Sequence, residues 1–223
     1  MTAAEQEKAL LQERTISDVE TLKALSDPVR LRILETMVQA PDEDWTVKRI
    51  AAALGVGPTK LYHHIGILEE REFIRPAGTR VVSGIIETRY RIAQLSVRLD
   101  RSLLTGAAVD EAAAAFDDVL RTVFDTARED VGRALRAGRM SLEAEPGASG
   151  APGADPDASG GILRQDLTRL SPARAAELKA RLAALLNEFE ADATGDEAPD
   201  ALPFGLLVAM YPVTDTRQEP TDD

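Results

Sequence analysis

Few side chains in this sequence have the chemistry for catalysis or metal binding. The 223 residues contain no cysteine and two histidines, His63 and His64, which are adjacent. The lack of cysteine excludes disulfides, thiolate metal sites and cysteine nucleophiles together, and it fits a reducing compartment. Neighbours on a helix point about 100° apart, so the two imidazoles are poorly placed to chelate one ion. The ordinary reading is that His64 packs or hydrogen-bonds at a helix junction while His63 faces outward. No Gly-rich phosphate loop or Ser–His–Asp set is present, and no histidine follows His64. Asp117, Asp118, Asp125, Glu129 and Asp130 crowd one stretch, and they read as a solvated acidic face. The expectation is a protein that is not an enzyme and that uses no metal and no cofactor.

The cations are more informative. The formal net charge is −12, but it is spread unevenly. From Thr46 to Arg98 there are nine basic residues (Lys48, Arg49, Lys60, Arg71, Arg75, Arg80, Arg89, Arg91 and Arg98) against four glutamates, a local net of +5. Beyond Arg98 the chain is strongly acidic. Local charge decides which face meets a phosphate backbone, so this segment matters more than the total.

Hydrophobic residues at 44% suffice for a core, and aromatics at 4% make it mostly aliphatic. The length fits one large domain or two small ones. Glu5, Glu7 and Lys8 precede any apolar run, so no secretory signal is visible. The longest apolar stretch, Leu202 to Val213, holds two prolines, and a membrane helix needs roughly 20 apolar residues. A soluble, cytoplasmic protein with no membrane partner is expected.

Periodicity divides the chain further. The opening stretch to Ser26 reads as a helix, because Val19, Leu22 and Leu25 recur at three-residue steps. Ser26-Asp27-Pro28 marks a second helix start, a short acceptor before a proline that loses no needed N–H. Leu31, Ile33, Leu34, Met37 and Val38 give that helix its apolar face, and Pro41 to Asp44 breaks it. Thr46 to Leu54 makes a third helix, Gly55-Val56-Gly57 a tight turn, and Pro58 to Arg71 a fourth. Ile74, Val81, Val82, Ile85, Ile86, Tyr90 and Ile92 then read as strands, with Gly78 and Gly84 supplying turns. Ile92 to Leu104 fits a strand through Leu95, Val97 and Leu99, and a helix through Ile92, Leu95, Leu99 and Leu103. Periodicity does not choose between them.

Val109 to Arg139 carries a sustained stripe that includes Phe116, Val119, Leu120, Val123, Phe124, Ala127 and Val131, the pattern of a long amphipathic helix. A helix of about 30 residues exceeds what one small domain usually covers, which favours partner-helix packing in a dimer. Residues 143–161 lack large apolar side chains and read as a flexible linker. Leu163, Leu167 and Leu170 follow, with a strand as one reading. Ser171-Pro172 opens a helix whose face is Leu178, Leu182, Leu185, Leu186 and Phe189. After an acidic loop at Gly195 to Asp200, Phe204 to Val213 reads as a buried strand.

Three helices followed by a β-hairpin are the parts of a winged helix-turn-helix, and the short Gly-containing turn suits that motif. Leu61, Ile65 and Leu68 point inward at i, i+4 and i+7. Thr59, Lys60, Tyr62 and His63 lie on other faces at the helix start, where a recognition helix meets base edges. Lys48 and Arg49 flank the approach, and Arg75, Arg80, Arg89 and Arg91 sit on or near the wing.

Residues Leu22 to Leu34 (LKALSDPVRLRIL) resemble the opening signature of ArsR-like winged-helix repressors. Thr46 to Ala51 and Thr59 to Ile65 resemble that family's two DNA-facing helices, and Arg80, Gly84, Glu87 and Tyr90 resemble the wing of a subgroup with larger C-terminal regions. The resemblance covers roughly residues 15–93. It implies a homodimeric transcription factor that binds double-stranded operator DNA and often answers to a ligand or metal; the thiolate ligands of metal-sensing members are absent.

The resulting expectation is a mostly α protein with small β content. Residues 1–93 form the winged helix-turn-helix and 94–142 a connecting segment with a long dimerisation helix. Residues 143–161 are a linker and 162–223 a C-terminal α/β module, which either senses a small-molecule effector or enlarges the dimer contact. Lys48, Arg49, Thr59, Lys60, Tyr62, His63, Arg75, Arg80 and Arg89 are the candidate DNA-binding residues. The leading function is a dimeric repressor reading an inverted repeat, with activation left open. The competing reading is a winged-helix interaction module without DNA binding.

Overall fold

The computed structural model describes residues 10–82, 84–105, 109–142, 159–161, 168–193 and 205–212. Most of the expected linker, Leu163, Leu167, the Gly195 to Asp200 loop, Phe204 and Val213 lie outside the described residues. The chain forms two compact units, residues 1–129 and 130–223.

The first unit opens differently from the expected single helix. Leu11–Ile16 is a strand, β1, and only Val19–Ala24 is helical, α1. The three-residue recurrence of Val19, Leu22 and Leu25 describes α1 alone. Upstream, β-branched Thr15 and Ile16 favour an extended chain, and Asp18 fixes the helix start by accepting a hydrogen bond from the Thr21 N–H at 2.8 Å.

The expected second helix is α2, Pro28–Val38. Its cap, Asp27, accepts from the N–H groups of Val29 and Arg30 at 2.9 and 3.0 Å. Trp45–Thr46 forms a short strand, β2, and Thr46 then caps α3, Val47–Leu54. A single 3-10 turn at Pro58–Lys60 precedes α4, Tyr62–Glu70, so the expected fourth helix is a 3-10 turn joined to an α-helix.

Strands β3, Ile74–Val82, and β4, Ile85–Ile92, form an antiparallel hairpin, and β2 joins the far side of β4. Gly84 supplies the expected turn with φ of 80°, but Gly78 does not make a turn. It sits inside β3 at φ 121°, where the register slips between Pro76 and Gly78. The ambiguous stretch after Ile92 is strand β5, Gln94–Leu99, followed by a 3-10 turn at Arg101–Leu104. The alternation of Leu95, Val97 and Leu99 is the pattern that holds, because β5 finds a parallel partner in β1.

The core of this unit is mostly aliphatic, as composition requires. Ile33, Met37, Ile50, Leu61, Leu68 and Phe73 are fully buried. Helix α5, Val109–Arg136, adds Ala112, Ala115 and Val119 to that core. Hydrogen bonds from Thr122 to the Ser26 carbonyl, 2.7 Å, and from Lys23 to Glu111, 2.7 Å, fix α5 against α1 and the start of α2. The stripe read from the sequence therefore has two sides. Val119 is buried and Phe116 and Val123 are packed against the core, while Leu120 and Phe124 are exposed. Of the five acids read as a solvated face, Asp117 and Asp118 pair with Arg121, Asp125 with Arg128 and Asp130 with Arg133 on the same helix, whereas Glu129 lies 3.7 Å from Arg32 of α2.

In the second unit, Met140–Leu142 (β6) and Ser159–Gly161 (β7) pair in parallel, and Pro172–Ala193 forms α6. The Ser171 hydroxyl accepts from the Arg174 N–H at 3.3 Å, as the Ser-Pro start requires. The expected buried strand at Phe204 to Val213 does not form. Residues 205–212 carry no regular structure, and Leu206, Val208 and Tyr211 are exposed. A run of apolar residues favours a strand only where a ladder partner exists, and periodicity does not report one.

Asp18 carries a pH signature. The hydrogen bond from the Thr21 N–H holds its carboxyl below the ordinary 3.8. A folded-state pKa below the unfolded value contributes stability that is present above the unfolded pKa and lost as pH falls through the folded one. Asp18→Asn is therefore expected to be less stable than wild type at neutral pH, with the gap closing below about pH 4. Urea midpoints measured from neutral to acid pH check this, and a gap constant across that range contradicts it.

Candidate nucleic-acid interface

Gly55 shapes the interface first. It adopts φ 67° and ends α3, with its own N–H and that of Val56 returned to the Ala52 and Ala51 carbonyls at 3.2 and 3.0 Å. This left-handed cap turns the chain sharply without leaving helix carbonyls unpaired. Gly57 and Pro58 then launch the 3-10 turn, and Leu61 enters the core.

Leu61, Ile65 and Leu68 are at most 2% exposed. Because they face inward, Thr59, Lys60, Tyr62 and His63 face outward, and all four are exposed. Tyr62 keeps 60% of its surface accessible. Lys60 makes no ion pair among the described residues. His63 is outward and His64 half-buried, its Nδ1 at 3.3 Å from the Asp27 carboxylate, so the ordinary reading of the histidine pair stands. Among the described residues no group of three or more His, Cys, Asp or Glu could hold a metal ion.

The wing lies beside this helix. Tyr90 of β4 is buried, and a small cleft of about 120 Å³ between α3, α4 and the wing is lined by Val47, Lys48, Tyr62, Ile86, Glu87, Thr88 and Tyr90. Burial, and after it the neighbouring Glu69, push the Tyr90 phenol above its usual range.

The cations have partners that the sequence did not reveal. Arg80 Nε donates to Glu87 Oε2 at 2.7 Å, and Lys48 Nζ lies 3.9 Å from the other Glu87 oxygen. Arg89 donates to Asp44 at 2.5 Å, and Arg91 donates to the second oxygen of the same carboxylate at 2.7 Å. Arg49 pairs with Glu43, donates to the Asp44 carbonyl at 3.3 Å, and stacks over the Trp45 ring at 4.2 Å. Arg75 sits opposite Arg91 across the ladder; burial first, and then the Arg91 charge, lower its pKa.

The nine candidates thus fall into two sets. Thr59, Lys60, Tyr62 and His63 share one exposed turn at the start of α4. Lys48, Arg49, Arg80 and Arg89 each face a carboxylate, and Arg75 is half-buried in the wing. Sequence reasoning missed Glu43, Asp44 and Trp45. The one available signal was the acidic run Asp42 to Asp44 directly before the basic segment.

A family model described as a helix-turn-helix domain matches residues 25–77. The chain carries a helix-turn-helix domain. The match runs from the end of α1 through α4 into β3, and the hairpin and β2 complete it as a winged form. A domain of this kind points to a DNA-binding regulatory role. No match was found among curated proteins. Among the described residues no helix is long and apolar enough to cross a membrane.

Gly78 tests the wing geometry. A φ of 121° is open to glycine and strained for any L side chain, and a Cβ there would lie 2.9 Å from the Arg89 guanidinium. Gly78→Ala is expected to cost about 1–3 kcal/mol, mostly from backbone strain. Chemical denaturation measures it, and a variant as stable as wild type would show that the wing relaxes around this position.

Proposed function

We propose that the protein is a cytoplasmic, ArsR-like transcriptional regulator that acts as a homodimeric repressor on an inverted-repeat operator. The observation that carries this reading is the single exposed turn bearing Thr59, Lys60, Tyr62 and His63 at the start of α4, inside the matched domain. A recognition helix places its N-terminal residues against base edges in the major groove. In this reading Lys60, Tyr62, His63 and Thr59 contact bases. Lys48 and Arg80 contact flanking phosphates, and Arg49, Arg75 and Arg89 add to the positive field of the wing. Repression follows from occupancy of the promoter.

The test of this face is direct. Lys60→Ala and Tyr62→Ala are expected to weaken operator binding by about 5- to 150-fold, the equivalent of about 1–3 kcal/mol for a lost base contact. Both side chains are exposed, so unfolding temperatures should stay at the wild-type value. Unchanged affinity in both folded variants would sink the recognition-helix assignment.

The dimer reading is supported by α5. Leu120 and Phe124 are one turn apart and respectively 38% and 48% exposed, on the side of the helix away from its buried alanines. An apolar pair left exposed on a long helix suits a second copy of the same helix, and a two-fold axis then sets two recognition helices about one DNA turn apart. The substitutions Leu120→Glu and Phe124→Glu are expected to give a folded monomer by light scattering; a dimer that survives both places the contact elsewhere. The C-terminal region, residues 162–223, is proposed to add to this contact or to sense an effector, and an effector acts there only by binding one dimer state more tightly than the other.

A second reading, a winged helix that binds a protein and not DNA, is favoured by one observation. Lys48, Arg49, Arg80, Arg89 and Arg91 already face carboxylates of the same chain. Mobility shifts at graded salt separate the two, because DNA binding weakens steeply as salt rises.

A further inference from the structure

The acidic segment before β2 belongs neither to the core nor to the proposed base-reading turn, yet it holds three arginines. Asp44 is the centre of the cluster. One carboxylate oxygen accepts from Arg89 at 2.5 Å and the other from Arg91 at 2.7 Å, while its carbonyl accepts from Arg49 at 3.3 Å. The contact is partly sheltered, with the Asp44 side chain 24% exposed and those of Arg89 and Arg91 37% and 45% exposed. The hydrogen bond from Arg91 is the largest of the effects that hold the Asp44 carboxyl below its usual range. Gly78 leaves the room that the Arg89 guanidinium occupies, since any Cβ there would meet it. Arg75 and Arg91 face each other across the ladder, so the pairing of Arg91 with Asp44 offsets one of two like charges that would otherwise repel.

We propose that Asp44 is an internal counter-ion that competes with DNA phosphate for Arg89 and Arg91 and so limits the sequence-independent part of binding. The proposal rests on the DNA-binding reading above and deepens it. A carboxylate satisfies guanidinium donors much as a phosphate oxygen does, with charge-assisted hydrogen bonds. Each arginine held by Asp44 is one cation fewer seeking phosphate. Phosphate contacts supply nearly all of non-specific affinity and its salt dependence, whereas base contacts supply specificity. Weakening the first while leaving the α4 turn untouched raises the ratio of specific to non-specific binding. Asp44 is in this sense a specificity-determining residue that touches no base.

The experiment measures binding of the full chain to a random-sequence duplex as a function of salt, for wild type, Asp44→Asn, Arg91→Gln and the double variant. Each phosphate newly contacted steepens the log–log salt slope by about 0.9. Asp44→Asn is expected to bind this duplex more tightly at low salt, with a slope steeper by about 0.9 to 1.8 for one or two freed arginines. Arg91→Gln alone should leave the wild-type slope unchanged, and in the Asp44→Asn background it should remove part of the gain. An unchanged or shallower slope for folded Asp44→Asn overturns the proposal, as does a shallower slope for Arg91→Gln alone, which would mean that Arg91 already meets phosphate. If Asp44→Asn fails to fold, Arg91→Gln decides by the same criterion. If wild type does not bind the duplex even at low salt, the DNA-binding reading fails by itself. The counter-ion proposal then falls with it unless Asp44→Asn restores binding.

Discussion

Burial of Leu61, Ile65 and Leu68 is the constraint on which the rest of the interface depends. Full burial of an aliphatic side chain is worth about 1.5–3 kcal/mol, whereas an exposed ion pair contributes about 0–1. Three such side chains on one face of a short helix outweigh every charge interaction around them. The apolar face therefore sets the rotation of α4, and the positions of Thr59, Lys60, Tyr62 and His63 follow from it. The Gly55 cap contributes the other half of this geometry, since its left-handed conformation lets α3 end within a single turn of the start of the next helical segment.

Electrostatics act on a frame that packing has already fixed. The +5 balance of residues 46–98 is real as a count, but the window opens two residues after Asp44. Folding brings Glu43 and Asp44 back against Arg49, Arg89 and Arg91, because β2 pairs with β4 at Trp45–Tyr90 and Thr46–Arg89. The pairing of a two-residue strand thus places carboxylates from outside the segment against the wing arginines. Glu87 has the same effect from inside the hairpin, where it lies directly across the ladder from Arg80. The wing face is accordingly less positive than its sequence segment.

Helix α5 shows a similar division of labour. Small residues, Ala112 and Ala115, form its buried face, and the Thr122 to Ser26 hydrogen bond ties it to the residue before the Asp27 cap. Asp27 in turn lies beside His64 of α4. One contiguous set of contacts therefore joins the helix that offers Leu120 and Phe124 outward to the helix that offers Lys60 and Tyr62.

By itself the sequence determined those features whose cause is local. Asp27-Pro28 sets a helix start, Gly55 sets a turn, i, i+4, i+7 spacing sets which side of α4 is buried, and Ser171-Pro172 sets a helix start. Each is decided within a few residues by capping, backbone freedom or periodicity. Tertiary structure alone decided the features that depend on a distant partner. Residues 11–16 became a strand because β5 runs alongside them, and the Ile92 to Leu104 ambiguity was settled by the same pairing. Residues 205–212 are as apolar as a buried strand, yet they have no ladder and are exposed. The apolar stripe of α5 had to be divided into an inner and an outer side by the core it packs on. The carboxylate partners of the wing arginines were illegible for the same reason, since Asp44 and Arg89 are 45 residues apart in sequence and 2.5 Å apart in the fold.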